Sequence, residues 1–181
     1  MNWIPNALTF LRILLIVPFA LALLEARYQL ALLIFLVAAV TDAIDGFLAR
    51  HFDWGSRLGA IADPLADKAL LITAYYMLTL TGVFPWWLLA IVIGRDLLIV
   101  VGALAFHYFI GRFHVQPSWA GKLNTFLQIV VVLAVIILLA GWPMPAWVLP
   151  VGVWAVGIWG LVSGAHYVAI WARRAWLRTH A

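Results

Sequence analysis

Six apolar stretches, each close to the ~20 residues a helix needs to cross a bilayer, take up nearly all of this 181-residue chain. They run at about 6–25, 29–50, 64–82, 86–110, 120–140 and 146–172. Breakers separate them: Gly55 and Gly59, Gly82 with Pro85, Gly111 with Pro117, then Gly141, Pro143 and Pro145. The composition agrees, with 67% hydrophobic and 10% charged residues, whereas a soluble domain is nearer half apolar and a quarter charged. A water-soluble core of this size could not bury so much apolar surface. The fold expected is therefore all-α, an integral membrane bundle of six transmembrane helices. It forms one membrane domain over 1–181, with no room for a separate soluble domain. The first run, Ala7 to Leu24, has no basic residue before it and holds Arg12 inside it, so it reads as a helix and not as a removable leader. The absence of cysteine excludes disulfides and thiolate metal sites.

The connections have two chemistries. The segments 50–63, 111–122 and 172–181 carry Arg50, Arg57, Arg112, Lys122, Arg173, Arg174 and Arg178. The segments 25–28, 82–86 and 141–146 carry only Arg27, offset by Glu25. With six helices each set falls on one side. The positive-inside rule then puts the basic set, and both termini, in the cytoplasm, here of a bacterial inner membrane. The tryptophans of Phe84-Pro85-Trp86-Trp87 and of Trp142 to Trp147 read as interfacial anchors on the other side. The net charge of +4 rests on few charges, so membrane lipids are the expected surroundings and no nucleic-acid partner is expected.

Four of the seven acidic residues are Asp42, Asp45, Asp63 and Asp67. A charge at bilayer depth costs at least ~2.5–3.5 kcal/mol, so something must neutralise them. Asp42 and Asp45 are three apart near the end of the second run, and Asp63 and Asp67 four apart at the start of the third. Both spacings put two carboxylates on one helix face. A short connection makes these helices antiparallel neighbours, so the pairs can face each other near the cytoplasmic surface. Four carboxylates without His or Cys form a hard-oxygen site that suits Mg²⁺ or Mn²⁺. Gly46, Ala49 and Gly59 leave bare backbone beside it, and Arg50 and Arg57 bring cations. Metal ions plus arginine around a small-residue surface suit a pyrophosphate. The plainer alternative is that the aspartates are helix-end charges paired with nearby arginines.

The run Asp42-Ala-Ile-Asp45-Gly46-Phe-Leu-Ala49-Arg50, followed by Gly59, Asp63 and Asp67, resembles the signature of the CDP-alcohol phosphatidyltransferases and has all eight of its fixed positions within 26 residues. The resemblance implies a donor such as CDP-diacylglycerol, two Mg²⁺ or Mn²⁺ ions, CMP as product and a possible homodimer. It implies that Asp42, Asp45, Asp63 and Asp67 are metal ligands, and that Asp67 is also the general base for the acceptor hydroxyl. Gly46 resembles the position that admits the cytidine, and Arg50 and Ser56 the groups that hold the diphosphate. Pro5-Asn6-Ala7-Leu8-Thr9-Phe10-Leu11-Arg12 resembles the family's opening motif on the nucleotide side, with Asn6 and Thr9 as donor-binding residues.

The acceptor is read from the second half. Arg95, in Gly94-Arg95-Asp96, and Lys122, in Gly121-Lys122-Leu123-Asn124-Thr125, are the cations that could bind an acceptor phosphate. A structural pair with Asp96 is the alternative for Arg95, and a snorkelling boundary residue the alternative for Lys122. Phosphatidylglycerophosphate synthases, which use glycerol 3-phosphate, resemble an Ala-Arg-Glu stretch with a second arginine eight residues on, where this chain has Ala103. The CMP-forming cardiolipin synthases, which use phosphatidylglycerol, are more similar: their Arg-Asp pair matches Arg95-Asp96, and a Pro-to-Asn-Thr run matches Pro117 to Thr125. Phosphatidylglycerol is thus the favoured acceptor and glycerol 3-phosphate the second. A divalent-cation channel or carrier is the rival outside enzymes, since intramembrane carboxylates also mark ion paths. Against it, the aspartates cluster at one face and do not cross the bilayer.

Overall fold

The computed structural model describes residues 3–52, 59–109 and 118–179, and among these every regular element is helical. The order is α1 (Trp3–Leu24), α2 (Tyr28–Phe52), α3 (Gly59–Leu80), α4 (Trp86–Phe109), α5 (Trp119–Leu139) and α6 (Val148–Thr179). Among the described residues three segments are long and apolar enough to cross a membrane: Trp86–Ala105, Trp119–Leu139 and Val148–Arg173. Thr9–Leu24 and Tyr28–Asp42 are shorter apolar segments. Many large apolar side chains point outward, among them Val17 at 63% exposure, Leu104 at 64% and Leu161 at 62%. A surface this apolar marks a membrane protein, because water would not tolerate it.

Two helix bounds differ most from those read in the sequence. α3 begins at Gly59, not at 64, because the Ala60-Ile61-Ala62 stretch ahead of Pro64 joins the helix. α6 continues to Thr179, not to 172. The segment taken there as a basic tail is rich in Ala, Leu and Arg, which favour helix, and cations near a helix C-terminus are favourable. The 32 residues of α6 make a rod of about 48 Å, against a hydrocarbon core of about 30 Å.

The chain divides into two compact units. The first comprises 1–84 and 132–145. In it α1 packs against both α2 and α3. Phe19, Leu23, Ala31, Ala74, Tyr75 and Leu78 are fully buried. The Phe19 and Phe35 rings lie 5.8 Å apart, and Tyr75 stacks on Phe84 at 5.1 Å. Three of its helices end in one kind of turn. After α1, Arg27 N–H donates to Ala22 C=O at 2.8 Å and Ala26 N–H to Leu23 C=O at 3.2 Å, with Ala26 at φ 56°. Val83 and Gly82 repeat the pattern after α3, and Trp142 and Gly141 after α5, with φ 77° at Gly82 and 93° at Gly141. This left-handed cap satisfies the last carbonyls of a helix and turns the chain sharply. Glycine takes the conformation freely, whereas Ala26 adopts it against the preference of an L-residue.

The second unit comprises 85–131 and 146–181. Here α4 packs against α6. Gly157 and Gly160 of α6 lie so close to it that an added Cβ would stand 2.6 Å from the Trp87 ring and 2.8 Å from Ile91. Small residues at helix contacts let backbones approach where lipid offers no hydrophobic drive. Leu88 and Val156 are fully buried in this unit.

Candidate active site

An arginine within an apolar helix must find anions or leave the bilayer. Arg12 of α1 finds two. Its Nη1 donates to Asp67 Oδ1 of α3 at 2.6 Å, and its Nη2 stands 3.0 Å from Asp42 Oδ1 of α2. The arginine side chain is 1% exposed, while the carboxylates keep 46% and 45%. The cation is therefore inside and the acids open outward. Thr9, three residues before Arg12 and so on the same face of α1, is 3% exposed.

The two carboxylate-bearing helices are thus joined through α1, a partner the spacing of the aspartates did not suggest. Among the described residues the arginine that pairs with Asp67 lies 55 positions away; the nearby Arg50 and Arg57 have their side chains outside the described residues. The signal available was energetic: an arginine in the middle of an apolar run needs an acid somewhere.

The other expected donor-side residues are described only in part. Asn6 belongs to α1, Asp45, Gly46 and Arg50 to α2, and Asp63 to α3, with their side chains outside the described residues. Ser56 lies outside the described residues altogether, as does Arg57. Among the described residues no group of three or more His, Cys, Asp or Glu side chains comes together. Asp42 and Asp67 still fit a divalent ion: they are hard oxygen donors from separate helices, brought to one cation and half open to incoming phosphates.

The acceptor candidates lie in the second unit. Arg95 of α4 is 8% exposed. Its Nη1 donates to Asp96 Oδ1 at 2.7 Å, while Nε and Nη2 reach Ser163 Oγ of α6 at 3.3 and 3.1 Å. The guanidinium carbon stands 5.7 Å from the Tyr167 ring centre, within cation–π range. Tyr167 Oη accepts the Ser118 N–H at 3.0 Å, ahead of α5. Gly121 makes room for this arrangement, since a Cβ there would stand 2.8 Å from Tyr167 Oη and 2.9 Å from Arg95 Nη2. The pair with Asp96, weighed in the sequence, is present. Ser163 and Tyr167 were not foreseen, because a small hydroxyl and a phenol in an apolar helix carry no periodic signal. Lys122 is exposed at the start of α5. Asn124, one turn after Ala120, is fully buried.

Known proteins now add to this geometry. The profile of the CDP-alcohol phosphatidyltransferase family matches residues 2–159. A probable phosphatidylglycerophosphate synthase of Mycobacterium tuberculosis is 37% identical over 142 residues, covering 75% of this chain and 66% of that protein. A CDP-diacylglycerol–glycerol-3-phosphate 3-phosphatidyltransferase of Blochmanniella floridana is 32% identical, covering 77% and 76%. The CMP-forming cardiolipin synthase of Rattus norvegicus is 31% identical, covering 72% and 49%. With the profile matched over most of its length, and Asp42 of α2 and Asp67 of α3 both paired with Arg12, this chain belongs to the CDP-alcohol phosphatidyltransferase family of enzymes.

Proposed function

We propose that this chain moves a phosphatidyl group from CDP-diacylglycerol to the hydroxyl of a glycerol-containing acceptor and releases CMP. The family uses CDP-alcohol donors and alcohol acceptors and generally depends on divalent cations. The observation that carries the proposal is the meeting of Asp42 and Asp67 at Arg12, in a chain with all eight signature residues.

In this reading Asp42, Asp45, Asp63 and Asp67 would hold two Mg²⁺ or Mn²⁺ ions, which when bound supply charge neutralisation for the diphosphate and the departing CMP. Asn6, Thr9 and Gly46 border the nucleotide, and Arg50 and Ser56 hold the diphosphate. Asp67 takes the proton of the acceptor hydroxyl. The hydroxyl oxygen attacks the phosphorus that bears the lipid, and the bond to CMP breaks. The half-open position of Asp67 supports that role, because a base must be within reach of the hydroxyl. The proposal sets six helices across a bacterial inner membrane, with both termini and the acid cluster on the cytoplasmic side, as the basic segments suggest. A homodimer is consistent with it.

For the acceptor we favour phosphatidylglycerol, bound with help from Lys122 and, behind it, Arg95. A phosphodiester asks for fewer cations than a phosphomonoester, and Ala103 stands where a second arginine would be. Glycerol 3-phosphate is the second reading, favoured by the names of the mycobacterial and Blochmanniella relatives. The test is CMP release by purified protein in detergent with CDP-diacylglycerol and Mg²⁺, run with phosphatidylglycerol, with glycerol 3-phosphate and with no acceptor. Release with phosphatidylglycerol alone is the expected result. Release with glycerol 3-phosphate alone keeps the chemistry and changes the acceptor. No acceptor-dependent release from folded protein overturns the proposal and revives a divalent-cation channel or carrier.

A further inference from the structure

Arg12 is among the largest fully buried side chains, yet its two partners are half exposed. That exposure leaves carboxylate lone pairs open on the side away from the arginine. Here the fork faces outward from the interior: one nitrogen serves α2, the other α3, and both acids keep an open side. The oxygens it engages, Asp42 Oδ1 and Asp67 Oδ1, belong to the carboxylates proposed above as ligands of a divalent cation. Guanidinium and divalent ion repel each other and compete for the same lone pairs. A guanidinium can also span two carboxylates in a fixed geometry that an ammonium cannot reproduce.

We propose that Arg12 is a positioning residue, an internal cation that holds Asp42 and Asp67 side by side and gives way when a divalent cation takes their oxygens. The inference rests on the reading of these acids as metal ligands. It assigns Arg12 a cost as well as a benefit: the arginine keeps two like charges together, and metal uptake must exchange at least one of its charge-assisted hydrogen bonds. Its removal should therefore move stability and metal affinity in opposite directions. A plain structural brace would lower stability equally with and without the ion.

The experiment uses the full chain in detergent with Mn²⁺ alone, free Mn²⁺ being followed by electron paramagnetic resonance and unfolding by a thermal ramp. Arg12→Met should unfold at a lower temperature than wild type without Mn²⁺. It should bind Mn²⁺ about tenfold tighter, the equivalent of one charge-assisted hydrogen bond, and so show the larger Mn²⁺-induced rise in Tm. Arg12→Lys, whose shorter reach and compact ammonium lack the fork that spans the two carboxylates, should bind about threefold tighter; it carries the test if Arg12→Met does not fold. Unchanged or weaker Mn²⁺ affinity in the folded variant, beside saturable binding by wild type, overturns the inference and leaves the proposed function standing. Absence of saturable binding in wild type and variant alike overturns the metal-ligand reading, and the inference with it.

Discussion

The two units each bury an arginine in apolar helices, and they settle its charge in different ways. In the first, Arg12 faces two carboxylates from two other helices, leaving the described cluster with one negative charge in excess and both acids about half exposed. In the second, Arg95 is matched by one carboxylate, its own neighbour Asp96, at 14% exposure, and its remaining donors go to Ser163 and the Tyr167 ring. The second pairing is closed, which suits a clamp. The first leaves both acids half open, which suits a site that takes up further cations. A buried ion pair is weak evidence for stability, but its removal by halves is costly. The units differ in which function that cost would serve.

The sharpest test of the open cluster is Asp67→Asn. As the proposed base and ligand it should lose about 10²–10⁴-fold in CMP release, far more than the stability lost by withdrawing one carboxylate from the buried Arg12; retained release would remove Asp67 from the chemistry. The closed cluster should behave in the reverse way. Arg95→Met removes a buried cation from its ion pair with Asp96 and its bonds to Ser163 and should lower unfolding stability in detergent by about 3–5 kcal/mol. A raised acceptor KM beside the lost stability is expected from its share in acceptor binding; unchanged stability would erase the contrast. A smaller effect is expected of Gly121→Val, whose side chain enters the space of Arg95 Nη2 and Tyr167 Oη and should cost about 1–3 kcal/mol by overpacking. The smallest concerns neither cluster. Ala26→Gly relieves the φ of 56° after α1 and should stabilise the fold by about 0.5–1 kcal/mol, with CMP release unchanged.

The helices were legible because their signal is local. Twenty apolar residues between Gly and Pro breakers leave one element in a membrane, and all six lie where those runs lie. The ends of α3 and α6 were misplaced because Pro64 and the arginines after Trp171 look like boundaries, whereas helix propensity carried the chain past both. That acids of α2 and α3 could meet was legible from the short connection between the helices, and Asp42 and Asp67 do meet at one arginine. Their common partner was not legible, because Arg12 is 30 residues from one and 55 from the other, and spacing says nothing at that range. Arg95 and Asp96 could be paired by adjacency, while Ser163, 68 residues away, could not.

The reach of Arg12 has a consequence for how the protein is made. α1 leaves the ribosome ahead of α2 and α3, carrying a charge whose partner on α3 is synthesised 55 residues later, a delay of about 3–11 s at ordinary elongation rates. Until its partners on α2 and α3 arrive, that charge weighs against residence in the bilayer, by at most about 2.5–3.5 kcal/mol on insertion scales. The first helix is therefore expected to enter late, with its neighbours, and not alone. Ribosome-arrested chains ending before and after α3 would show it: α1 should be extractable by alkali in the shorter chain and retained in the longer one. Equal retention of both would mean that α1 commits to the membrane without its partners.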